Sequence, residues 1–193
     1  MSRFKGTKGV IVFIIIVFLI VGYYFYLSNR QAAAKKEQEA QSLTVVQDTL
    51  LRDLNTNYPP TPKEVIKYYS RITQCFYNEE YTEEELKELA LKAQELFDDK
   101  LIQNKTQEQY LTDLQTDIET FKSDECTIPS YSISSSTDVE YFSEEGYDCA
   151  RLYCIYSLKQ GSAYSTTQEI FVLRKDNAGH WKILGWNLAD LDS

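Results

Sequence analysis

The hydrophobic period of this chain changes once, near Cys126, and that single switch restricts the fold more than any other feature. Before it, apolar side chains recur every three or four residues; after it they alternate. The first spacing lays apolar groups along one stripe of a helix and the second along one face of a strand, which predicts helices first and strands last. Three helix starts share one chemistry. Thr61 precedes Pro62 and stands three residues before Glu64, Thr82 three before Glu85, and Thr106 three before Gln109. In such a capping box the hydroxyl accepts a free amide of the first turn, and the side chain three residues on answers the N–H of the cap. The predicted helices bury Val65, Tyr69, Ile72 and Phe76, then Leu86, Leu89, Ala90, Ala93 and Phe97, then Leu111, Leu114, Ile118 and Phe121. Their opposite faces are dense in Glu, Lys and Asp and read as solvated surface.

In the second half, Tyr131, Ile133, Val139 and Tyr141 mark one long, interrupted strand. Turn chemistry at Glu144-Glu145-Gly146, Gln160-Gly161-Ser162 and Asp176-Asn177-Ala178-Gly179 separates further strands over residues 147–158, 166–175 and 181–188. The predicted class is α+β, with three helices packed on a curved antiparallel sheet of about four strands.

The N-terminal part obeys a different constraint. From Val10 to Leu27 the sequence VIVFIIIVFLIVGYYFYL carries no charge, and at ~1.5 Å per residue one helix of it covers roughly a hydrocarbon core. Ala32, Ala33 and Ala34 offer small residues to a signal peptidase. Apolar regions of signal peptides are usually about 7–15 residues, however, and this run continues into the belt Tyr23, Tyr24, Phe25 and Tyr26, so a retained anchor is expected. Arg3, Lys5 and Lys8 precede it, and all 29 acidic residues follow it. That asymmetry favours a cell-membrane protein crossing once, with a cytoplasmic N-terminus and an extracytoplasmic C-terminal domain. The expected organisation is a cytoplasmic segment at residues 1–9, a transmembrane helix at 10–27, a juxtamembrane helical stalk and linker at 28–60, and a cone-like α+β domain at 61–193. Leu43, Val46, Leu50 and Leu54 give the stalk an apolar stripe, which packs on the domain or pairs with a second copy. The prolines of NTNYPPTP end it. The formal charge of −9 disfavours nucleic acid as a partner, because such binding rests on basic patches.

The order of elements, with the closing strand HWKILGWNL carrying His180, Trp181, Ile183 and Trp186, resembles the nuclear-transport-factor-2-like superfamily over residues 61–190. More narrowly, the whole chain resembles uncharacterised single-span, membrane-anchored proteins of anaerobic gut Firmicutes. The resemblance implies a cone-shaped α+β domain. It leaves function open, because that fold hosts enzymes, ligand binders, dimerisation modules and secretion scaffolds. Enzymes of the superfamily set an acid and a base inside the cone, and no such pair maps onto this sequence.

No catalytic residues, metal ligands or cofactor site emerge from the motifs. His180, the only histidine, sits beside a hairpin loop and reads as a turn residue, while Ser132, Ser134, Ser135 and Ser136 lack the GxSxG context of a nucleophile. The triplet Asn104-Lys105-Thr106 is explained by Thr106 as a helix cap. Cys75, Cys126, Cys149 and Cys154 include no CxxC pair for zinc. An oxidising compartment allows them three disulfide pairings, but Cys149 and Cys154 point to opposite faces of one strand.

Alternation puts apolar groups on both faces of the sheet. Ala150, Leu152, Cys154, Tyr156 and Leu158 form the row assigned to the helix-covered core. The second row is Tyr147, Cys149, Arg151, Tyr153 and Ile155; it either lines the cone or meets a partner. Its Tyr and Arg content matches interface hot spots, and ordinary cross-strand pairing on a half-exposed face explains it equally well. The leading expectation is a membrane-anchored scaffold or protein-interaction domain, either a homodimer through the sheet or bound to an envelope protein. The alternative is a small-ligand or sensor domain whose polar fingers are Tyr68, Tyr69 and Arg151. An enzyme of unknown reaction comes third. The binding candidates, for sheet face or pocket, are Tyr68, Tyr69, Arg151, Tyr153, Phe171 and Trp186. A cavity of roughly 300 Å3 or more with convergent polar groups favours the ligand reading.

Overall fold

The computed structural model describes residues 43–189. The expected membrane run at residues 10–27 and the first part of the expected stalk lie outside them. Among the described residues no helix is long and apolar enough to cross a membrane. The helices are α1 (Val45–Leu50), α2 (Pro62–Asn78), α3 (Glu83–Gln94), α4 (Asp99–Ile102) and α5 (Gln107–Ser123).

Thr82 and Thr106 close complete capping boxes with Glu85 and Gln109. Thr61 forms only half of one. Its hydroxyl accepts the Glu64 amide at 3.2 Å, but the Glu64 carboxylate lies 3.8 Å from the Lys67 ammonium, so the return bond is not made. A further complete box, Thr44 with Gln47, opens α1. The folded unit therefore begins at Thr44 and not at residue 61. Val46 and Thr49 of α1 are buried. The Tyr68 hydroxyl donates to the Thr49 carbonyl at 2.8 Å, and the Arg71 guanidinium donates to the Thr49 hydroxyl at 3.0 Å. Of the two fates left open for the stalk stripe, α1 takes packing on the domain.

The sheet has five strands where about four were expected: β1 (Cys126–Ile133), β2 (Glu140–Glu144), β3 (Tyr147–Gln160), β4 (Ala163–Lys175) and β5 (Trp181–Leu188). The interrupted strand of the sequence reading is two strands. β1 and β2 lie in line along the same edge of β3, parted by a 3-10 turn at Ser136–Asp138, and the rest follows as an antiparallel meander. β2 turns into β3 through Glu145 (φ 52°) and Gly146 (φ 84°), the two left-handed positions of a tight hairpin. At the other edge, Asp98 donates to the Ile183 carbonyl and Ile183 to the Leu96 carbonyl, both at 2.8 Å, so a short piece of chain between α3 and α4 borders β5.

The helices cover one face. The inward rows Ala150, Leu152, Cys154 and Tyr156 of β3 and Phe171 and Leu173 of β4 meet Val65, Ile66, Ile72 and Leu89 in one core, as the alternation predicts. A bulge in β1 frees the backbone of Ile128 from the ladder. Asn78 and Gln74 of α2 take it over, Asn78 accepting from its N–H at 2.8 Å and both amides donating to its carbonyl. The four cysteines are free thiols, and Cys75, Cys149 and Cys154 are buried.

Candidate functional site

Between α2, α5 and the inner face of the sheet lies a cavity of about 330 Å3 that opens to solvent. α2 supplies Tyr69, Thr73 and Tyr77, four residues apart and therefore on one helical face. α5 supplies Tyr110, Asp113, Leu114 and Asp117 at equivalent spacing, the turn after α3 supplies Phe97, and β5 supplies Trp186.

Trp186 reaches the cavity through a bulge. Val172 pairs with Gly185 and Leu173 with Ile183, which leaves Leu184 as an extra residue. Unbroken alternation from Trp181 and Ile183 would place Trp186 with Lys182 and Leu184 on the outer face; the extra residue turns it inward, beside its partner Phe171. The Tyr69 ring then stands 5.8 Å from Phe97, 5.8 Å from Phe171 and 5.7 Å from Trp186, and Phe171 stacks on Trp186 at 5.9 Å. Tyr110 meets Phe97 edge-on at 6.1 Å. These centroid separations are attractive for aromatic pairs, at about 0.5–1.5 kcal/mol each beyond the area they bury.

The polar groups divide into neutral hydroxyls and carboxylates. Burial pushes the hydroxyls of Tyr69 and Tyr110 up, and that of Tyr77 up to about 12, so all three keep their protons as hydrogen-bond donors. At the mouth the Lys105 ammonium donates to Asp113 at 2.5 Å. Asp117 stands beside Tyr77 and adds to its upward shift. Behind Tyr69 and Tyr77, Glu169 shares the inward row of Phe171, and burial alone raises its carboxyl to about 7.

The six residues singled out from the sequence separate into three places. Tyr69 and Trp186 line the cavity, and Phe171, fully buried, packs against both beneath it. Tyr68 is buried on the other side of α2, with its hydroxyl committed to α1. Arg151 and Tyr153 lie on the uncovered face of the sheet, where Arg151 pairs with Glu140 at 2.8 Å and Tyr153 is 39% exposed. The expected fingers Tyr68, Tyr69 and Arg151 are therefore not brought together, because successive residues of a helix or a strand leave in different directions. Tyr77, Tyr110, Asp117 and Glu169 were missed. Two of their signals were present in the sequence: the i, i+4, i+8 series Tyr69, Thr73, Tyr77, and the row that joins Glu169 to Phe171 and Leu173.

Elsewhere, His180 stacks on Tyr58 at 4.3 Å with Nδ1 3.6 Å from the Asp176 carboxylate, and does not line the cavity. Ser134 and Ser135 are engaged locally, with Tyr153 and Thr137. Among the described residues no group of three or more His, Cys, Asp or Glu side chains is placed to hold a metal ion. The arrangement can hold a small molecule against π faces and offer it hydroxyl donors and carboxylate acceptors.

No curated protein matches this chain. Residues 1–186 match the model of a family described as a domain of unknown function, DUF6715, and the chain belongs to that family.

Proposed function

We propose that this chain is a membrane-tethered, extracytoplasmic domain that binds a small molecule in the cavity between α2, α5 and the sheet. The observation that carries the reading is the cavity itself: about 330 Å3, floored by mutually packed aromatic rings and rimmed by polar side chains of α2 and α5. Its volume falls within the range of sites that take small ligands. The uncharged run at residues 10–27 and the acids confined to the chain beyond it support the tether and the orientation. The cone-like fold of the nuclear-transport-factor-2-like superfamily is the matching structural analogy.

Filling the cavity tests the reading. Leu114 is half-buried on α5 and lines the space, so Leu114→Trp places an indole where a ligand would sit. The low-molecular-mass fraction of an extract from the source cells is expected to raise the melting temperature of the wild-type chain by several degrees and leave the variant unmoved. A ligand at 100 times its Kd stabilises by about 2.7 kcal/mol, which is ample for detection. Equal shifts in the two proteins, or none in either, refute the reading.

A second reading rests on the other face of the sheet. There Tyr153 and Ile155 are 39% and 40% exposed beside Arg151, a composition suited to contact with a second copy or an envelope protein. In solution the full chain is expected to form dimers that the Arg151→Ala, Tyr153→Ala double variant loses. A wild-type chain that stays monomeric at high concentration ends the homodimer version.

A further inference from the structure

The rim of the cavity carries more negative than positive charge, and a further carboxyl, Glu169, stands behind its tyrosine wall. Lys105 is the one base at the rim, and two carboxylates face it; it donates to Asp113 and only partly offsets the field of Asp117. Glu169 does not line the cavity, and burial alone shifts its carboxyl, with no base acting on it. The titratable groups around it are Tyr69 and Tyr77 of α2 and Cys154 and Tyr156 of β3, all neutral. The cavity itself is walled by the rings of Tyr69, Tyr77, Phe97, Tyr110 and Trp186. Aromatic faces carry the negative lobe of the ring quadrupole, so they attract cations and repel anions.

We infer that the ligand is an organic cation, an ammonium group on a small apolar body. This rests on the cavity being a ligand site and names the class it takes. An anion would meet Asp117 and the π faces, with the Glu169 carboxyl behind them and only the tyrosine hydroxyls to receive it. A neutral molecule of the same shape would fill the volume and leave Asp117 unanswered. An ammonium answers Asp117 and lies against the π faces, with the Glu169 carboxyl adding its field from behind the tyrosines. Because the Glu169 carboxyl charges only as pH rises through about 7, the preference for a cation grows between pH 6 and pH 8.

The test uses the full chain in a maltoside detergent, with the indole N–H resonance of Trp186 as reporter and three probes of similar size. These are benzyltrimethylammonium, benzyl alcohol and phenylacetate. The ammonium is expected to bind about tenfold more tightly than the alcohol, the range that desolvated cation–π contacts supply, and phenylacetate not at all. Asp117→Asn, in the lining, is expected to weaken the ammonium several-fold, Glu169→Gln, behind the tyrosines, to weaken it by less, and both to leave the alcohol unchanged. Asp117 is exposed on α5, so its variant leaves the core untouched. Alcohol or phenylacetate binding as tightly as the ammonium overturns the inference and leaves the cavity reading standing. A Trp186 resonance that none of the three moves overturns the inference, and the cavity reading is then decided by the Leu114→Trp comparison.

Discussion

Truncation of Asp98 to Ala is expected to cost about 3–5 kcal/mol of folding stability, the range for breaking one half of a buried ion pair. Asp98 is only 3% exposed, and its two oxygens accept from Arg174 Nε at 2.8 Å and Nη2 at 2.6 Å. The same carboxylate caps α4 by accepting the Lys100 amide at 2.9 Å, while the Asp98 N–H donates to β5 at Ile183. One side chain therefore joins a helix start, a sheet edge and a charge on β4. Its removal strands the Arg174 guanidinium, which is 14% exposed and packed 4.5 Å over the Tyr147 ring. Urea denaturation measures the loss. Pairing Asp98→Leu with Arg174→Met is expected to recover much of it, since the penalty belongs to the unpartnered charge and not to the absence of the pair. A single-variant loss below about 1 kcal/mol would contradict this account.

Phe171→Ala is expected to cost a similar ~3–5 kcal/mol, for a different reason. Phe171 is fully buried at the centre of β4, and its ring lies against both Tyr69 and Trp186. Truncation removes transfer free energy and leaves a void beneath the rings of Tyr69 and Trp186 that the surrounding core closes only in part. Trp186, already 38% exposed, loses its stacked partner and gains further contact with water, which should shift its fluorescence to the red. Phe171→Leu keeps most of the volume and is expected to lose less than half as much. If the alanine variant kept its midpoint in urea and its tryptophan spectrum, Phe171 would not be the floor described above.

These two residues show where sequence reasoning succeeds and where it stops. Thr61, Thr82 and Thr106 were legible as caps because a cap is settled within four residues. The row Ala150, Leu152, Cys154 and Tyr156 was legible because strand period is local too. Asp98 was not legible: its partner Arg174 is 76 residues away, and nothing near either one announces the other. The inward turn of Trp186 was not legible for the same reason. Alternation is local, but the bulge at Leu184 and Gly185 is set by pairing with Val172 and Leu173 across the hairpin. The half-box at Thr61 marks a smaller gap, in which the pattern was present and Lys67 turned Glu64 elsewhere. The cavity needs four stretches of chain at once. Its contributors could be listed from the sequence only as separate faces, Tyr69 with Tyr77 on one and Tyr110 with Asp117 on another.

The broken border of the sheet bears on how this domain meets other chains. One side is split between β1 and β2, with Pro129, which has no N–H to offer, in the β1 bulge and the Ile128 backbone occupied by Asn78 and Gln74. The opposite side is bordered at Ile183 by the chain around Leu96 and Asp98. An incoming strand finds no free backbone at Ile128 or at Ile183, so growth in the plane of the sheet, the route to fibrils, is interrupted at those two points. The surface open to another chain is then the broad face around Tyr153 and Ile155 more than the rim at these two points.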